Sequence, residues 1–202
     1  MISSICLDCN KHRKVPLLSG TLNFKEINMF ELSNEAKSVR ALAVQYADLY
    51  FEFVNQIRNA LGDEECRKLV TKVLYKRACE RAEGSIARAE ESGKERIWQN
   101  INVVTDVPLC GWVSELGRDH CPYGMAWNER IKDNPWFREY AALYCDVTDT
   151  TIGEVFTGDH THRLYENVVL GDEACRRSYT PDSNVEAGIY TYDPERTEKT
   201  DG

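Results

Sequence analysis

The 202-residue chain has no run of about 18 apolar residues, so it offers no candidate membrane span. It also lacks an excess of basic charge. Asp and Glu number 33 against 25 Lys and Arg, for a formal net charge of −8. Binding to nucleic acid rests on a basic surface that displaces counterions from phosphates, so this balance argues against a nucleic-acid partner. The opening Met1-Ile2-Ser3-Ser4-Ile5-Cys6 has neither the basic start nor the long apolar stretch of a secretory signal. The expected location is therefore cytoplasmic, with no membrane partner. Histidine is scarce, at four, and no internal repeat is visible.

The chain does have 42% apolar and 29% charged residues, the mixture of a globular protein able to bury one sizeable core. It also has eight cysteines. In a reducing compartment these read as buried thiols, metal ligands or reactive groups before they read as disulfides. Cys6-Leu7-Asp8-Cys9 is a C-x-x-C pair without a second pair at finger-like spacing. It is read as structural or without function.

Three segments are expected: an N-terminal extension over 1–32, one α+β domain over 33–180, and a polar tail over 181–202. Ser33 is a good N-cap, with Glu35 in the first turn that follows. Val39, Leu42, Tyr46, Leu49, Phe53, Ile57 and Leu61 then recur at gaps of three and four and predict one apolar helix face. Gly62 stops this helix, and Asp63 is expected to cap the next. The face of the second helix runs through Cys66, Leu69, Val70, Val73 and Leu74, then more weakly through Ala78, Ala82, Ile86 and Ala89, to Gly93. So short a turn predicts an antiparallel helical hairpin.

Residues 98–108 hold Ile101, Val103, Val104 and Val107 and read as a strand. Residues 123–144 read as helix, interrupted at Asn134-Pro135. Residues 163–170 and 175–179 read as paired strands about a Gly171-Asp172 turn. Helices followed by a terminal antiparallel sheet on which they pack define the α+β expectation.

The chemically dense part is 106–175. It contains Asp106, Cys110, Asp119-His120-Cys121-Pro122, Cys145-Asp146, Asp149, Asp159-His160-Thr161-His162 and Gly171-Asp172-Glu173-Ala174-Cys175. Thiolates with imidazole or carboxylate can hold zinc, and a catalytic zinc keeps one open position. Alternatively, one thiol can be a nucleophile activated by histidine or a helix N-terminus. Spacing alone leaves both readings open, so the cofactor is either none or zinc. Taken singly, each cysteine reads more simply as a small buried hydrophobe, and His160 and His162 as loop residues.

Three motifs occur in order: His120-Cys121-Pro122-Tyr123-Gly124-Met125-Ala126-Trp127, Leu143-Tyr144-Cys145-Asp146, and Leu170-Gly171-Asp172-Glu173-Ala174-Cys175. Over roughly residues 98–180 the set resembles the L-2-amino-thiazoline-4-carboxylic acid hydrolase family. The ending is also similar to 4-vinyl-reductase-type ligand-binding domains. The resemblance implies a small-molecule enzyme acting on a C–N or C–S bond of a compact polar heterocycle, by hydrolysis, cyclisation or isomerisation. It implies catalytic roles for Cys121, Cys145, Asp146, Cys175, His120 and His162, and substrate contacts from Arg163, Asp172 and Tyr123. Asp172 has a second reading, as the residue that holds the turn. The rival function is a non-catalytic ligand- or metal-sensing domain.

Overall fold

A computed structural model describes residues 31–158 and 163–178. The expected N-terminal extension up to residue 30, with its Cys6 and Cys9, lies outside the described residues, as do His160, His162 and the polar tail.

Four helices dominate the described part. These are α1 (Asn34–Leu61), α2 (Asp63–Ser92), α3 (Pro122–Asp133) and α4 (Phe137–Thr157). The Ser33 hydroxyl accepts the Ala36 N–H at 3.1 Å, which satisfies one of the donors left over at the start of α1. Gly62 (φ 81°) and Gly93 (φ 63°) end α1 and α2 at the expected places. Asp63 begins α2 without capping it by a side-chain bond. Its carboxylate instead takes the Arg58 guanidinium at 2.6 Å and the Tyr140 hydroxyl at 3.1 Å.

The α+β expectation is corrected: the described part is helical, and among the described residues no sheet forms a layer for the helices to pack on. Among the described residues the only strand pairing is a short antiparallel ladder of β1 (Arg163–Glu166) with β2 (Arg176–Ser178), irregular between Leu164 and Glu166. Two strands of this length have too little shared surface to act as a core layer. The expected strand over 98–108 is a run of turns beginning with a 3₁₀ turn at Trp98–Asn100. Val104, with Ile101 beside it, packs on Ala89 and Phe156, so burial against helices replaces cross-strand pairing.

The second half of α4 is the other correction. Helix was expected only to residue 144, yet α4 runs to Thr157. Thr148, Thr150 and Thr151 are β-branched and weak helix formers. All three are buried, so packing outweighs their propensity. Arg96 closes the helix by donating to the Phe156 carbonyl at 2.7 Å and the Val155 carbonyl at 3.1 Å.

Helix α1 packs chiefly on α3, and α2 along α4. The stripe of α1 that enters the core is Ala36, Arg40, Ala43, Ala47, Phe51 and Val54, not the expected large-residue face. Small side chains are needed there because the Trp127 ring comes close enough to donate its indole N–H to the Ala47 carbonyl at 3.0 Å. Around that contact Tyr144 meets Tyr50 and Trp127 edge-on, as Phe137 meets Trp127, while Tyr50 is tilted against Trp127 and Phe137 and Tyr123 against Trp127. The expected face is left open instead: Leu49 is 53% exposed and Phe53 60%. On α2 the outcome is mixed, since Cys66, Val70 and Leu74 are buried whereas Leu69 and Val73 are exposed.

Candidate functional site

A cavity of about 330 Å³ lies between α2, α4 and the connection over 98–121. Cys121, Cys145 and Cys175, one from each motif, line it together with His120, Tyr123 and Asp149. Arg81 from α2 and Asp106 from the connection add a charged pair, and Trp98, Trp112 and Tyr144 add aromatic wall. Its volume is at the small end of ligand sites, enough for a compact molecule.

Cys121 is the N-cap of α3, with Pro122 following at the first helical position, where its missing N–H costs nothing. The Cys121 sulfur accepts the Gly124 N–H at 3.4 Å. Burial pushes its thiol up, and the Gly124 N–H, the Trp112 indole and the Tyr123 N–H only partly offset this; Cys175 adds to the rise. At neutral pH Cys121 is therefore a protonated thiol.

His120 is half-buried, with Nδ1 2.9 Å from the Gly117 carbonyl. A carbonyl only accepts, so this nitrogen carries the proton. In the neutral ring Nε2 is left as the acceptor. Tyr123 is pushed up to about 12 by burial, with nearby Tyr46 adding to the rise, and burial raises the Tyr144 phenol well above its ordinary value. Both phenols are neutral at physiological pH.

Arg81 and Asp106 form a forked pair. The Arg81 Nε–H lies 3.1 and 3.0 Å from the two carboxylate oxygens, and its terminal nitrogen donates at 2.7 Å. Burial opposes the Arg81 charge, and Asp106 outweighs it; the bond from Arg81 in turn holds Asp106 below its ordinary value. Such planar two-point pairing fixes geometry as well as charge.

Arg40 holds the loop that carries His120 and Cys121. It is 7% exposed, and its guanidinium donates to the carbonyls of Gly111 at 2.8 Å, His120 at 3.0 Å and Asp119 at 2.7 Å. The loop reaches α1 closely because residue 111 is glycine: a Cβ there would stand 2.6 Å from Val39 Cγ1.

Several expected site residues stand elsewhere. Asp146 is 3% exposed within α4 and is not part of the lining, and Cys145-Asp146 lies in mid-helix rather than at a helix end. Asp172 is outside the lining as well. Its carboxylate accepts the Asn167 N–H at 2.7 Å, and its own N–H approaches the Asn167 carbonyl at 3.4 Å. These bonds close the loop between β1 and β2. The side chain of Arg163 and all of His162 lie outside the described residues. Among the described residues, no three His, Cys, Asp or Glu side chains gather as a metal-binding group.

Arg40 and Arg81 were not legible as site residues. Each occupies a helical core-facing repeat, Arg40 between Ala36 and Ala43 and Arg81 beside Ala78 and Ala82. A charged residue in such a row was the available signal. No family model, curated protein or solved structure matches this chain.

Proposed function

We propose that the chain is a small-molecule enzyme acting on a C–N or C–S bond of a compact polar heterocycle bound in the cysteine-lined cavity. The observation that carries this reading is the meeting of Cys121, Cys145, Cys175 and His120 around one small cavity from three separate parts of the chain. For ring opening, water adds at the carbon between the ring heteroatoms. His120 Nε2 takes a proton from that water, and the protonated Cys121 thiol is a suitable donor to the departing sulfur or nitrogen. Asp149 supplies a carboxylate for an amidinium-like group. Net, one water is consumed, one ring bond breaks, and the proton taken up by His120 returns to the Cys121 thiolate to restore both groups.

A second reading is ligand binding without turnover, which needs only the cavity and its aromatic wall of Trp98, Trp112 and Tyr144. The test is incubation with L-2-aminothiazoline-4-carboxylate, followed by mass spectrometry. A product heavier by one water, lost in His120→Ala, supports the enzyme. Binding with no turnover supports the second reading. Neither binding nor turnover removes both for this heterocycle class.

A further inference from the structure

A second hollow, about 540 Å³, runs between the outer faces of α1 and α2. Its walls include Leu49, Phe53, Leu69 and Val73, large side chains that the core did not take, together with the half-buried Ile57. A contiguous apolar patch of this kind on a folded protein marks a binding surface. One feature ties it to a small ligand: it shares Arg81, Asp106, Val107, Tyr123 and Tyr144 with the cysteine-lined cavity, so the two hollows meet at a common wall.

We infer that the two hollows form one amphiphilic site, in which the polar heterocycle sits among the cysteines and an apolar chain or ring attached to it lies in the groove between α1 and α2. This rests on the reading of the cysteine-lined cavity as the heterocycle site and extends it to a substrate class: heterocycles bearing a lipophilic substituent. The shared wall suits the junction. Arg81 is already neutralised by Asp106, and Tyr123 and Tyr144 line both hollows with side chains that are part apolar ring and part hydroxyl.

The probes are 2-aminothiazoline and its N-alkyl derivatives from ethyl to octyl, titrated by calorimetry into the full chain. N-Phenyl-1-naphthylamine serves as a separate fluorescent reporter of the groove. The expected result is an affinity that rises roughly threefold to fourfold per added methylene. The gain is lost in Phe53→Asp and kept in Leu42→Asp, whose side chain is 72% exposed on α1 and lines neither hollow. Circular dichroism confirms that both variants fold. If 2-aminothiazoline binds but affinity is flat with chain length, the inference fails and the reading of the cavity stands. If the naphthylamine binds and no heterocycle does, the reading of the cavity fails and the joined site falls with it. A dimer that Phe53→Asp splits assigns the groove to a second copy. Amide exchange in residues 1–30 that quickens in Phe53→Asp assigns it to the chain's own N-terminal segment. Either result overturns the inference.

Discussion

Replacing Arg40 with methionine keeps most of the side-chain stem and removes the guanidinium. Three carbonyls then lose the Arg40 donor, Gly111, His120 and Asp119, although the His120 carbonyl keeps the Val113 N–H at 3.2 Å. They do not count equally. The bond to Gly111 is buried, so that oxygen stays dry when its partner goes, at about 2–3 kcal/mol. The other two lie at the partly buried rim and regain water, at about 1 kcal/mol each. The sum, about 4–5 kcal/mol, is a large part of the stability of an ordinary domain. Arg40→Lys should lose about half as much, because one ammonium cannot span three acceptors in the plane of a guanidinium. Urea unfolding followed by circular dichroism measures the loss. Alkylation of Cys121 measures whether the loop has loosened, and it should quicken in Arg40→Met under conditions where the variant is still folded. An Arg40→Met protein that loses less than about 1 kcal/mol, with Cys121 as slow to react as before, would refute the reasoning. The loop over 111–121 would then hold itself.

Alkaline pH should destabilise the protein. Burial raises the phenols of Tyr50, Tyr140 and Tyr144 and the thiol of Cys121, so the unfolded chain gives up these protons first. The stabilisation is complete below the ordinary thiol and phenol values of 9.0 and 10.0 and is lost as pH rises through the folded values. Urea midpoints should fall steadily between about pH 8 and 11, and midpoints that do not change would contradict the buried phenols. Gly153→Ala should displace the Trp98 ring, which occupies the space a Cβ would need, and cost about 1–3 kcal/mol. An unchanged tryptophan emission and unfolding midpoint would argue against that packing. Asp172→Asn keeps an acceptor for the Asn167 N–H and should lose about 1 kcal/mol or less while retaining ligand binding. Loss of binding in a folded Asp172→Asn protein would return Asp172 to the site.

Most local signals were legible where neighbours in sequence are neighbours in space, the expected Asp63 cap excepted. Ser33, Gly62, Gly93 and the Asn134-Pro135 break act within one turn of chain, and the helices begin and end beside them. Cys121, Cys145 and Cys175 stood out through the family resemblance, and all three line one cavity. Periodicity revealed the helices α1 and α2 but not which side would be buried. On α1 two rows repeat at helical spacing, one of alanines with Arg40 and one of large apolar residues. The close approach of Trp127 required the small row, and only the docked partner could decide that. The same holds for the threonines of α4, whose weak propensity was overruled by burial. It holds as well for the strand expected over 98–108, which found helix surface instead of a partner strand. Arg40 and Arg81 became site residues only when distant backbone and the Asp106 carboxylate came within hydrogen-bond reach. Turns and caps are short-range and legible along the chain; the choice of buried face and the meeting of charges depend on what packs opposite, which folding alone supplies.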